Sequence, residues 1–330
     1  MKKIFALLLS AALLVTLLAA CGGGNTTDTD TDAQEPATDA STTQVEEQEP
    51  DTGDASKDDP LNQDEIGEKE LLVVSFGTSY NDSRRETIGA IEKAMQTAFP
   101  DYSVRRAFTS QIIIDHVKDR DGVTIDNVEQ ALERAVNNGV KTLVVQPTHL
   151  MNGLEYKELT DELAKYSDSF EKIAIGDPLL TSDADFEAVM TAITDATKDA
   201  ADGKTAICFM GHGTTADSNS VYSKMQTLLT DKGFNDYYVG TVEATPSLDD
   251  VLAAVQKGNY EKVILRPLMI VAGDHANNDM AGDEDDSWKS TFEKAGYTVD
   301  CQVEGLGQLE AIQQLFVEHA KAAVASAEAE

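Results

Sequence analysis

Short apolar segments alternate with amphipathic segments along most of the chain. The run LLVV at residues 71–74 has no polar alternation, which is typical of a strand buried on both faces of a parallel sheet. The next segment repeats apolar residues at helical spacing, at Ile88, Ile91 and Met95, so that they fall on one side of a helix. Strands separated by helices in this way predict a parallel sheet with right-handed crossovers.

The same order of strands and helices occurs twice. This internal repeat predicts two halves, at residues 71–200 and 201–330. The predicted fold class is α/β, with two flavodoxin-like domains whose parallel four-stranded sheets face each other across a cleft. In open parallel sheets, ligands bind outside the carboxyl ends of the strands. The polar residues at these positions are Ser75, Thr78, Ser79, Thr109, Ser110, His149, Glu155, His212, Glu243 and His275.

The two halves carry different residues at matched positions. At offsets of 136, 136 and 120 residues, the substitutions are His212 for Phe76, Glu243 for Ala107 and His275 for Glu155. Imidazole nitrogens combined with carboxylate oxygens suit divalent ions such as Co²⁺, Ni²⁺, Fe²⁺ or Zn²⁺. Neutral histidine is also a proton acceptor near pH 7. This pattern predicts a site for a divalent metal in the cleft.

Composition and motifs exclude two classes of ligand. The net charge is −33, from 59 acidic and 26 basic residues, whereas a nucleic-acid-binding protein needs a basic face. The segment SFGTS lacks the second glycine and the lysine of a phosphate-binding loop, and it does not match the dinucleotide fingerprint. The sequence therefore predicts neither nucleic acid as a partner nor a nucleotide cofactor.

The N-terminal region predicts export. Residues 1–20 contain two lysines, then an apolar run, then small residues before Cys21. This pattern is typical of a lipoprotein signal peptide, cleaved before Cys21 and followed by a lipid anchor at that cysteine. A plain signal peptide and an uncleaved anchor helix are the alternatives. The predicted location is the extracytoplasmic face of the cell membrane.

An acidic segment follows the predicted lipid anchor. Residues 22–70 contain 16 acidic and 2 basic residues and almost no large apolar ones. Such a segment cannot bury enough surface to offset the entropy lost on ordering. Residues 21–70 are therefore predicted to be a lipidated cysteine and a disordered acidic linker.

Six segments resemble the anaerobic sirohydrochlorin cobaltochelatase family, which are class II chelatases with a ferrochelatase-like fold. They are VVSFGTSYNDSRRETI, RAFTSQIII, QPTHLMNGLEY, FMGHGT, GTVEATP and PLMIVAGDHANNDMAGDEDDSWK. The resemblance covers about residues 71–319. It implies insertion of Co²⁺ into the tetrapyrrole sirohydrochlorin with release of two protons, and Fe²⁺ and Ni²⁺ are the alternative metals. The alternative function is a lipoprotein that binds metal, haem or another tetrapyrrole for uptake without turnover.

The resemblance also implies roles for individual residues. His212, Glu243 and His275 match the family's metal site, and His212, Glu155 and His149 are the expected catalytic groups. The substrate carries many carboxylates whereas this chain is acidic, so local cations and strand-end hydroxyls are expected to contact it. These contact residues are Ser75, Thr78, Arg84, Arg85, Arg106 and Lys289. The sequence does not decide between a monomer and a homo-oligomer.

Overall fold

Two parallel four-stranded sheets form the frame of residues 51–329, which are the residues described by this computed structural model. The first sheet has the order β2–β1–β3–β4, and the second has the matching order β6–β5–β7–β8. The strands are β1 (Lys69–Ser75), β2 (Ser103–Phe108), β3 (Thr142–Pro147), β4 (Lys172–Ile175), β5 (Thr205–Gly211), β6 (Tyr237–Thr241), β7 (Lys262–Pro267) and β8 (Thr298–Cys301). The predicted fold class and repeat are confirmed.

Helices cover the faces of both sheets. In the described part of the chain they are α1 (Asn81–Glu86), α2 (Ile88–Ala98), α3 (Gln111–Asp121), α4 (Val128–Asn137), α5 (Leu154–Ala164), α6 (Asp183–Thr197), α7 (Ser220–Asp231), α8 (Leu248–Val255), α9 (Trp288–Lys294) and α10 (Glu310–Ala329). A π-helix, Ala276–Met280, follows β7. Within residues 51–329, no helix is both long and apolar enough to cross a membrane.

The last helix of each half packs against the other half. Helix α10 contacts β3, β4 and α2 of the first half, and α6 contacts α7 of the second half. The exchange includes a hydrogen bond of 2.9 Å between the hydroxyls of Thr197 in α6 and Tyr237 in β6. The predicted boundary after residue 200 therefore lies between the two sheets. Helices from each half nevertheless pack against the other half, and the two halves belong to one compact unit.

The predicted disordered linker extends too far toward the C-terminus. In residues 51–68, Leu61 is buried, and the Asp58 carboxylate accepts hydrogen bonds of 2.6 Å from both Arg84 and Arg106. Two buried guanidinium groups need anions beside them, so this acidic segment is held on the first half despite its composition. The rest of the predicted linker, the signal peptide at 1–20 and Cys21 lie outside the described residues.

The backbone at the ends of β2 and β6 corrects one matched pair of the repeat. The Glu243 N–H donates to the carbonyl of His212, and the Ser110 N–H donates in the same way to the carbonyl of Phe76. The structural counterpart of Glu243 is therefore Ser110, not Ala107. The error arose because the connection leading to β6 differs in length from the one leading to β2, which a constant offset cannot represent.

Candidate active site

His212, Glu243 and His275 converge beyond the carboxyl ends of β5, β6 and β7. The imidazole rings of His212 and His275 meet edge to face, with centroids 4.5 Å apart. The Nδ1 atom of His212 lies 3.9 Å from Oε2 of Glu243. One ligand atom from each of the three residues lies within 4.8 Å of the other two. The structure thus brings together the three predicted metal ligands, hereafter called the metal cluster.

Neighbouring oxygens set the tautomers of the two histidines. Nδ1 of His275 lies 2.8 Å from Oδ2 of Asp279, within the π-helix, and Nδ1 of His212 lies 2.8 Å from the carbonyl oxygen of Gly213. Because a carbonyl and a carboxylate only accept hydrogen bonds, Nδ1 is the protonated nitrogen of each ring. The Nε2 atom of each histidine keeps its lone pair and is the atom available to a metal ion.

Two members of the metal cluster, His212 and Glu243, line a cleft of about 470 Å³ between the two halves. This volume lies in the range of small-molecule sites. Phe76 and Leu154 face the cleft although their side chains are 50% and 56% exposed. Other apolar residues of the lining are Leu150, Met151, Met269, Ile270 and Val271. The sequence patterns did not predict this apolar wall; the available signal was a phenylalanine, Phe76, at the position matched to His212.

His149 and Glu155 lie in the wall that the first half contributes to the cleft. Glu155 is exposed in the first turn of α5, whereas His149 is buried at the end of β3. Burial lowers the pKa of His149 to about 4, although the charge of Glu155 acts in the opposite direction, so the imidazole is neutral at pH 7. Ser75 also lines the cleft, and its hydroxyl pairs with that of Thr148 at 2.6 Å.

The four predicted substrate-binding cations lie elsewhere. Arg84 and Arg106 are buried and bonded to Asp58, so the prediction that they contact substrate is wrong. Arg85 and Lys289 form ion pairs with exposed carboxylates and do not line the cleft. Among the residues that the structure describes, the lining contains no lysine or arginine. Sequence reasoning could not find this, because a buried ion pair and an exposed cation look alike in sequence.

Thr78 is the sixth predicted contact residue, and it is buried beside the cleft rather than in its lining. Its hydroxyl lies 3.1 Å from the position that a Cβ atom would occupy at Gly273. Thr78 thus supports the segment that carries His275 from the side of the first half.

Comparisons with known proteins identify a family that the chain matches. The family model described as cobalt chelatase (CbiK) matches residues 69–325. A sirohydrochlorin cobaltochelatase of Salmonella typhimurium is 38% identical over 251 residues, which are 76% of this chain and 94% of that protein. The sirohydrochlorin cobaltochelatase CbiKC of Nitratidesulfovibrio vulgaris is 30% identical over 260 residues, which are 78% of this chain and 91% of that protein.

Solved structures share the fold at low sequence identity. SirB from Bacillus subtilis, solved with Fe³⁺, has a TM-score of 0.57 and 14% identity, covering 80% of this chain and 98% of that one. A multi-domain Deinococcus radiodurans protein with structural similarity to chelatases has a TM-score of 0.50 and 14% identity, covering 77% of this chain and 55% of that one. These likenesses show a chelatase-like fold.

Proposed function

The chain belongs to the cobalt chelatase (CbiK) family and is a sirohydrochlorin cobaltochelatase, and we propose that His212, Glu243 and His275 hold the Co²⁺ ion that it inserts. The observation that carries this assignment is the convergence of two imidazoles and one carboxylate within 4.8 Å. A metal held by three protein ligands keeps open coordination positions. Nitrogen atoms of the tetrapyrrole can occupy those positions and then replace the protein ligands one after another.

Asp279 positions His275 for metal capture. Its carboxylate fixes the ring through Nδ1, which directs Nε2 to the metal and raises the basicity of that nitrogen. Asp279 touches neither metal nor substrate in this arrangement, so it is a positioning residue.

Replacement of Asp279 by asparagine is expected to weaken Co²⁺ binding by about 10- to 100-fold, because the asparagine keeps the shape but loses the charge that orients the imidazole. Calorimetric titration with Co²⁺ measures this. Asp283→Asn is the control, since Asp283 is an exposed carboxylate in the same region and pairs with Lys289. Equal weakening in both variants would show that net charge, not positioning, is responsible.

Phe76 and Leu154 provide an apolar surface for the flat face of the tetrapyrrole. Large apolar side chains that are half exposed in a cleft gain about 1 kcal/mol each when a ligand covers them, roughly half of the value for full burial. Both belong to the first half, whereas the metal cluster belongs to the second half. One face of the ring therefore rests on the side chains of Phe76 and Leu154, and the other face receives the metal.

Phe76→Ala is expected to raise KM for sirohydrochlorin roughly tenfold with little change in kcat, because ring contact is made in both the ground state and the transition state. Steady-state kinetics at saturating Co²⁺ measures both constants. The matched control is Ile112→Ala, since Ile112 is 81% exposed but lies on α3 away from the cleft lining. A fall in kcat at unchanged KM would contradict the proposed stacking role.

Insertion replaces two pyrrole N–H protons by one Co²⁺ ion, so two protons leave the ring in each turnover. Glu155 is the proposed acceptor, because its carboxylate is exposed to the cleft and can pass protons to water. Both ring nitrogens of His149 are buried, which makes that residue less suited to proton release. Glu155 thus approaches the ring from the first half, and the metal cluster approaches it from the second half.

A visible-spectrum assay of the full chain tests the function. Sirohydrochlorin is mixed with Co²⁺, Fe²⁺ or Ni²⁺ in turn, and the spectral change that accompanies insertion is followed with and without protein. We expect Co²⁺ insertion to exceed the uncatalysed rate. Binding of sirohydrochlorin without faster insertion of any metal would instead favour the uptake lipoprotein.

We also propose that a lipid on Cys21 anchors the protein at the extracytoplasmic face of the membrane. The supporting observation is the signal pattern of residues 1–20 followed by cysteine. Fractionation of cells expressing the full chain tests this. The wild type is expected in the membrane fraction and a Cys21→Ser variant in the soluble fraction, and equal partition of the two would contradict lipidation at Cys21.

A further inference from the structure

The lining of the cleft contains buried polar atoms without hydrogen-bond partners, contributed by both halves. In residues 51–329, nine buried side-chain nitrogen or oxygen atoms lack a partner. Three of them are Nδ1 and Nε2 of His149 and Oγ of Ser218, and both residues line the cleft. His149 is only 9% exposed. Unpaired buried polar groups cost free energy in the substrate-free protein, and a ligand that pairs them recovers it.

The N-terminus of helix α5 opens at the same place. The helix has 11 residues, and its N-cap, Gly153, offers no side chain to its first N–H groups. A Cβ atom at Gly153 would lie 3.6 Å from Oγ of Ser218 and 3.5 Å from Oε2 of Glu155. Free N–H groups and the helix dipole favour a carboxylate. In the substrate-free protein, the Glu155 carboxylate already lies beside this helix start.

The described lining of the cleft offers no cation to the carboxylates of the substrate, so the unpaired donors near the start of α5 are candidates to bind one of them. Sirohydrochlorin carries several carboxylate side chains, whereas the described lining contains Glu155 and Glu243 and no lysine or arginine. A carboxylate that enters this cleft must therefore be bound by neutral donors. The start of α5, the imidazole of His149 and the hydroxyl of Ser218 are donors of this kind.

We propose that the start of α5, together with His149 and Ser218, binds one carboxylate side chain of the tetrapyrrole in exchange for the Glu155 carboxylate. This assignment rests on the proposed function, because it takes sirohydrochlorin as the ligand. The exchange moves Glu155 away from the helix start and toward the pyrrole nitrogens, where it accepts a proton. Binding of the substrate side chain thereby makes the proton acceptor available.

The test is a spectral titration of the full chain with metal-free sirohydrochlorin. Glu155→Gln removes the competing charge at the helix start and is expected to tighten binding by about 2- to 5-fold. Glu243→Gln removes the same charge from the opposite wall of the cleft and is the control for general repulsion. A clearly larger gain for Glu155→Gln than for Glu243→Gln supports the exchange, and equal gains in the two variants overturn it.

His149→Phe separates a binding role from a structural one. The variant loses the donor and is expected to weaken sirohydrochlorin binding roughly tenfold. Its melting temperature is expected to stay equal or rise, because two unpartnered buried nitrogens are removed. Ser218→Ala is expected to weaken binding in the same direction, whereas Ser223→Ala, at an exposed position of α7, leaves it unchanged.

An analogue of sirohydrochlorin with amidated side chains completes the test. It is expected to bind the wild type and Glu155→Gln with equal affinity, since it has no carboxylate to exchange. Unchanged sirohydrochlorin affinity in both His149→Phe and Ser218→Ala overturns the subsite. That result is distinct from failure of the proposed function, which would appear as a wild-type protein that does not insert Co²⁺.

Discussion

Replacement of His212 by alanine is expected to reduce kcat/KM for cobalt insertion by at least about 100-fold. Loss of a residue that only orients a metal ligand typically costs about 10- to 100-fold, so loss of a direct ligand costs more. The geometry adds to this expectation, because the ring of His212 also contacts the ring of His275 at 4.5 Å between centroids. His275→Ala is expected to have an effect of the same order.

The measurement is steady-state insertion of Co²⁺ into sirohydrochlorin, followed together with Co²⁺ binding. His116→Ala is a suitable control, since His116 is exposed on α3, away from the cleft. We expect the control to retain wild-type kcat/KM and metal affinity. Full activity in both His212→Ala and His275→Ala would show that the metal cluster does not take part in cobalt insertion.

The metal cluster was predictable from sequence because each ligand can be recognised from its position after a predicted strand. His212 directly follows β5, Glu243 comes shortly after β6, and His275 follows the loop after β7. The carboxyl ends of neighbouring parallel strands meet at one edge of a sheet. The repeat strengthened the prediction, since His212 and His275 occupy positions where the first half has Phe76 and Glu155. The wrong choice of Ala107 as the counterpart of Glu243 did not affect this prediction, because Glu243 itself was correctly placed at the end of a strand.

The features that the sequence did not reveal depend on contacts between distant residues. Arg84 and Arg106 were expected at the substrate because cations are scarce and carboxylates need them. Both instead pair with Asp58, 26 and 48 residues away along the chain, in a segment whose composition predicts disorder. Arg106 pairs in addition with the buried carboxylate of Glu92. Composition describes what a segment can bury by itself. It does not register that one carboxylate satisfies two guanidinium groups whose burial is otherwise costly.

This buried ion-pair network supports the site from behind. Nη1 of Arg84 donates to the carbonyl of Thr78 at 3.1 Å, and the Thr78 hydroxyl lies 3.1 Å from the position that a Cβ atom would occupy at Gly273. The hydroxyl of Ser83 accepts a hydrogen bond of 3.0 Å from the N–H of Ala272. The segment between β1 and α2 is therefore bonded to the segment that precedes His275. The N-terminal strap, residues 51–62, is linked through Asp58 to the position of a metal ligand in the other half.

Asp58→Asn is accordingly expected to lower the free energy of unfolding by about 3–5 kcal/mol at pH 7, because the buried Arg84 loses the carboxylate it pairs with and Arg106 keeps only Glu92. Urea denaturation with an unchanged m-value measures the loss. Asp54→Asn is the matched control, since Asp54 lies in the same strap but is exposed and pairs only with Lys57 and Ser56. Equal stability of the two variants would show that the strap is not part of the folded unit.

The pH dependence of this loss has a defined sign. Burial raises the pKa of Asp58, but the hydrogen bonds and charges of Arg106 and Arg84 outweigh it and hold that pKa below its ordinary value. A carboxyl with a depressed pKa in the folded state stabilises the fold above its unfolded pKa of about 3.9, and this contribution is lost as pH falls through the folded pKa. The difference between wild type and Asp58→Asn is therefore expected to be constant near neutrality and to shrink in acid. A difference that grows below pH 4 would mean that the carboxylate does not neutralise the arginines in the folded protein.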